Sequence, residues 1–187
     1  NDKQNYTPLL LAAQKGNVKV IEILVEILRE YRSFESELFA IDIFGQNLLH
    51  NACFNENNEV LATVIAELEK NPESLETMLK KKNVYGLSPL LLATRNGNEA
   101  VFNILVMTLK VHNLFESEMN VEDEYCQNVL HCASFNYNED VLVAIISELK
   151  ETPELLKTML KKKNVNGLSP LLLATRYGNE AVIKILT

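Results

Sequence analysis

The stretch Thr77–Val101 recurs further along the chain as Thr158–Val182, with two differences: Tyr85 against Asn166 and Asn96 against Tyr177. A duplication this complete constrains the fold strongly, because repeated segments bury their apolar faces by stacking on one another. The same offset relates Asn47–Asn55 to Asn128–Asn136 and Phe34–Glu37 to Phe115–Glu118. A shorter period, half as long, lies inside it. Thr7-Pro8-Leu9-Leu10-Leu11-Ala12-Ala13 returns in weaker form, at nearly even steps, from Asn47, Ser88, Asn128 and Ser169. Five repeats follow from this, 2–41, 42–82, 83–122, 123–163 and 164–187, forming a single array of two alternating flavours. The last stops inside a helical pattern, so the expectation is a piece of a longer array without a polar cap at that end.

Each repeat opens with a short helix. Thr7, Asn47, Ser88, Asn128 and Ser169 are good N-cap residues, and Pro8, Pro89 and Pro170 occupy the first helical position, where a missing N–H costs nothing. Pro72 and Pro153, after Asn71 and Thr152, start a further helix in the even repeats in the same way. Gly45, Gly86 and Gly167 sit in the turn leading into the first helix, with Cys126 in the same place, and Gly16, Gly97 and Gly178 end that helix. Where Glu56 and Tyr137 replace glycine, Asn57 and Asn138 are expected to take the left-handed conformation.

A longer second helix carries the apolar stripe Val60, Leu61, Val64, Ile65, Leu68. The stripe is repeated from Val20, Val101 and Val141, and its spacing implies one broad buried face. The third element of the even repeats has glutamates early and Lys80–Lys82 or Lys161–Lys163 at its end, as a helix macrodipole favours. Ser33–Ala40 and Asn113–Asn120 stand at that place in the odd repeats and read as less clearly helical.

The order Asp42-x-x-Gly45-x-Asn47-Leu48-Leu49-His50, the Thr7-Pro8-Leu9 followed by Ala12-Ala13, and the Gly16-Asn17 pair resemble the ankyrin repeat family. The resemblance extends in register over all five repeats. It implies an all-α, ankyrin-like helical solenoid of about five units that binds proteins with its lead-in turns and the concave side of its first helices. The repeats are longer than the family's ~33 residues, and the usual stretch closing the second helix is missing. A third short helix is therefore expected in place of much of the hairpin finger. The length alone would suit a HEAT or armadillo array, but the Thr/Ser-Pro-Leu…Ala…Gly-Asn order favours ankyrin.

Composition narrows the function. With 47% hydrophobic residues the chain can bury a core. A net charge of −7 disfavours nucleic acid and anionic membranes as partners, and no apolar run reaches the ~18 residues of a membrane span. Three widely spaced cysteines and the lack of a leader-like start suit a reducing, cytoplasmic or otherwise intracellular setting, delivery into a host cell included. Zinc needs about four convergent ligands. His50 and Cys53, or Cys126, His131 and Cys132, read instead as packing and turn residues, with the histidines hydrogen-bonded locally. The sequon Asn5-Tyr6-Thr7 is discounted because its threonine is a helix cap. No nucleophile–base–acid set or phosphate loop stands out, so no enzyme activity, cofactor or metal is expected.

What remains is surface. The third residue of each repeat is Gln4, Phe44, Tyr85, Tyr125 or Asn166, and the first helices end in Gln14-Lys15, Phe54-Asn55, Arg95-Asn96, Phe135-Asn136 and Arg176-Tyr177. Aromatics and arginine dominate interface hot spots. Phe44, Phe54, Tyr85, Arg95, Tyr125, Phe135, Arg176 and Tyr177 are thus the candidate partner-binding residues. Phe54 and Phe135 are equally compatible with packing between repeats, and the lysine triplets are an alternative basic patch. A protein-binding module is the expected function, and the regulatory or targeting arm of a larger enzyme or host-directed effector is the alternative.

Overall fold

The computed structural model describes residues 4–31, 34–54, 57–135 and 139–186. Among these, every regular element is a helix and no strand forms. The chain divides into two compact units, Asn1–Pro89 and Leu90–Thr187. The first holds α1 (Pro8–Lys15), α2 (Val18–Glu30), α3 (Phe34–Leu38), α4 (Leu48–Ala52), α5 (Asn58–Leu68) and α6 (Pro72–Lys80). The helix α7 (Pro89–Asn96) starts at the boundary. After it the second unit holds α8 (Glu99–Val111), α9 (Phe115–Met119), α10 (Val129–Ser134), α11 (Glu139–Leu149), α12 (Pro153–Lys161), α13 (Pro170–Arg176) and α14 (Glu180–Leu186).

Within each unit, helices pack on their neighbours in the chain and on their counterparts one repeat away. In the first unit α1 lies on α2 and α4, and α2 on α5; in the second, α10 lies on α11 and α13, and α11 on α8 and α14. The arrangement is consistent with an ankyrin-like helical solenoid. The third helix is present, nine residues long as α6 and α12 and five as α3 and α9.

Local chemistry accounts for the helix starts. Thr7, Asn47, Asn128 and Ser169 each accept a backbone N–H three residues on, and Asn71 does so for α6. Thr152 does not. Its hydroxyl reaches back to Leu149 O at 3.5 Å, so α12 starts at Pro153 without a side-chain cap. The expectation for Asn57 is corrected too: its φ is −85° and its side chain caps α5 through Glu59 N. Asn17, Asn98 and Asn179 cap α2, α8 and α14 likewise, so this asparagine is a repeated N-cap and not a helix terminator. Asn138, Glu56 and Tyr137 lie outside the described residues.

The stripes on α5 and α8 are wholly buried, from Val60 to Leu68 and from Val101 to Leu109, and Phe102 is among the largest fully enclosed side chains. The α2 stripe departs from this, with Ile21 and Val25 buried but Val20 exposed.

Candidate functional site

The lead-in turns carry most of the candidate residues, and their geometry repeats. Asp42 Oδ1 accepts from Phe44 N and Gln46 N at 2.9 and 3.0 Å. Asn83 does the same for Tyr85 and Leu87, Asp123 for Tyr125 and Gln127, and Asn164 for Asn166 and Leu168. These buried side chains satisfy two amides each and so pin the turn from inside. The turn also needs one left-handed residue, supplied by Asn5, Gly45, Gly86, Cys126 and Gly167 at φ between 58 and 74°. At Cys126 that conformation carries Cβ strain of about 1–2 kcal/mol.

Successive turns within a unit are tied by backbone. Ile43 N donates to Gln4 O at 3.1 Å, Val84 N to Phe44 O at 2.9 Å, and Val165 N to Tyr125 O at 2.9 Å. This tie brings the third residues of neighbouring repeats together: the rings of Phe44 and Tyr85 stack with centroids 6.5 Å apart. Tyr85 remains 44% exposed. In the second unit Tyr125 is exposed and its hydroxyl is hydrogen-bonded to Glu124, which raises the phenol pKa and keeps the proton on the oxygen. The charge of Arg95 acts on Asp123, whose pKa is nevertheless raised, chiefly by burial.

The residues ending the first helices differ among themselves. Phe54, Arg95, Arg176 and Tyr177 are exposed. Phe135 is half-buried, with its ring 5.1 Å from that of Tyr177. Sequence reasoning overlooked the second residues of the turns, Ile43, Val84 and Val165, each more than half exposed. Their repeated β-branched character at a hydrophilic turn was the available signal.

The two histidines at matching register do more than support their own turn. His50 Nδ1 accepts from Asn47 N while Asn47 Oδ1 accepts from His50 N, a reciprocal capping box. Its other nitrogen lies 2.9 Å from Leu87 O, at the start of the next repeat. A carbonyl can only accept, so Nε2 donates to it in the tautomer that leaves Nδ1 to accept from Asn47 N; Asn47 Oδ1 also lies 2.7 Å from Nδ1. His131 reproduces this with Asn128 and Leu168 O. Burial lowers the pKa of both, that of His50 to about 4, so both are neutral. Burial also pushes the Cys53 thiol up and that of Cys132 to about 12, whereas Cys126 is exposed. Among the described residues no three His, Cys, Asp or Glu side chains gather as metal ligands.

The lysine triplets follow the helix ends, with Lys80 3.5 Å from Glu76 and Lys162 paired with Glu122. The units share a second duplicated device. Arg29 pairs with Glu67 at 2.8 Å and rests on the Phe34 ring; at the matching place in the second unit, Lys110 pairs with Glu148 and rests on Phe115.

The family model of the ankyrin repeat matches residues 4–27, which span α1 and most of α2. With the helical packing it supports the resemblance drawn from the residues of all five repeats. No curated protein matches the chain. Ankyrin repeats are generally protein–protein interaction modules and typically non-catalytic. No helix among the described residues is long and apolar enough to cross a membrane.

Proposed function

We propose that the five repeats serve as a non-enzymatic binding array that engages a partner protein through its lead-in turns and the ends of its first helices. The contacts are Phe44, Phe54 and Tyr85 in the first unit, and Arg95, Tyr125, Phe135, Arg176 and Tyr177 in the second. The observation that carries this reading is the partly exposed Phe44–Tyr85 stack on turns held by buried Asp42 and Asn83. Rings presented by backbone that is already fixed lose little entropy on binding. An aromatic or arginine hot spot costs about 2 kcal/mol or more when truncated, roughly thirtyfold in affinity.

The test compares Tyr85→Ala, Arg95→Ala and Tyr125→Ala with a variant neutralised at Lys161–Lys163, measuring thermal stability beside binding of the partner captured by the unaltered chain. The Tyr85, Arg95 and Tyr125 variants should stay folded and lose binding, and the lysine variant should change mainly the salt-dependent on-rate. Normal binding by the Tyr85, Arg95 and Tyr125 variants, with loss in the lysine variant, would move the site to the basic patch.

A further inference from the structure

The duplication supplies an internal control for a second surface. Lys162, just past α12, is ion-paired with Glu122. Its counterpart in the first unit is Lys81, and the counterpart of Glu122 is Ile41. Lys81 therefore has no ion pair among the described residues. Ile41 is 39% exposed, and Phe39, where the other unit has Asn120, is 50% exposed. Phe39, Ile41, Asn47, Thr77, Met78 and Lys81 line a cleft of about 170 Å³. A cavity of about 150 Å³ holds benzene, so the space suits one apolar side chain.

The electrostatics are settled by the copy. The partial negative charge at the end of a helix such as α6 would oppose an approaching carboxylate. Yet the equivalent place after α12, with the same three lysines, holds the Glu122 carboxylate. The chain's net charge of −7 acts over distance and is largely screened beyond about 8 Å at physiological salt, which leaves Lys81 to act locally.

We propose that this cleft binds an extended segment of a partner protein that sets a carboxylate on Lys81 and an adjacent apolar or aromatic side chain against Phe39 and Ile41. The second unit meets the same need internally with Glu122. None of the residues lining this cleft is among the contacts proposed for the aromatic turns, and neither reading depends on the other.

The probes are acetyl-Ala-Glu-Phe-Ala-amide and acetyl-Ala-Phe-Glu-Ala-amide, titrated into the full chain with labelled isoleucine and methionine methyl groups. The Ile41 and Met78 signals should move. Replacing the peptide glutamate by glutamine, or Lys81→Gln, should weaken binding about fivefold, the upper range for an exposed pair. Ile41→Glu copies the second unit, fills Lys81 from within the chain and should abolish binding while circular dichroism stays unchanged. Asn120→Phe with Glu122→Ile should open a second site that moves the Met159 signal. Unmoved Ile41 and Met78 signals at millimolar peptide, or glutamine peptides binding as tightly as glutamate peptides, would overturn the proposal.

Discussion

Replacing His50 by leucine, the residue that occupies its place as Leu10, Leu91 and Leu172, isolates the tie between repeats. Leu10 and Leu91 are fully buried there, so the side chain fits this kind of site. The substitution removes the acceptor of Asn47 N–H and the donor to Leu87 O. Leu87 O keeps its bond from Asn83 N at 3.0 Å, so the main cost is one buried donor left without its imidazole. That costs about 2 kcal/mol at pH 7. The pH dependence runs the other way. The folded pKa is about 4 against 6.5 unfolded, so between those values the unfolded chain binds the extra proton. Stability from neutral His50 is complete above pH 6.5 and falls with pH, by about 2 kcal/mol at pH 5 and about 3 kcal/mol at pH 4. The leucine variant lacks this slope. Urea unfolding followed by circular dichroism at 222 nm should thus find the variant weaker at pH 7, equal near pH ~5 and more stable below it. Taking the difference between the two chains cancels the carboxylates that titrate in both. A stability difference that stays constant from pH 7 to pH 4.5 would refute the buried neutral histidine and the reasoning built on it.

Cys126→Gly should raise stability by about 0.5–1 kcal/mol, because glycine takes φ 58° without strain, and the urea midpoint reads it. Iodoacetamide at pH 8 should label Cys126 alone in the native chain, since Cys53 and Cys132 are buried with raised pKa values; mass spectrometry of the peptides checks this. Hydrogen exchange should be fastest over 164–186, where α14 buries only Val182, and slow over Ser88–Leu149; equal protection to the last helix would contradict this.

What the residues alone determined were features that close within a turn or two of chain. Asn47 can cap only the helix beginning beside it, a proline within a helix is tolerated only in its first turn, and a stripe such as Val60 to Leu68 must face a core. The repeats, the helix starts and the third helix were therefore legible. The same local logic erred where two local bonds compete: Asn57 could serve as a left-handed terminator or as a cap, and Thr152 could turn forward to α12 or back to Leu149. The candidate surface was legible as residue types at a fixed period. Its grouping was not, since Phe44 meets Tyr85, and Phe135 meets Tyr177, only across a whole repeat of intervening chain. Only the tertiary structure decided that His50 would reach Leu87, that Glu122 would sit on Lys162, and that Ile41 would leave Lys81 open. Such contacts depend on where separate repeats come to rest against each other, a distance that stacking of whole apolar faces sets and no short stretch of sequence encodes.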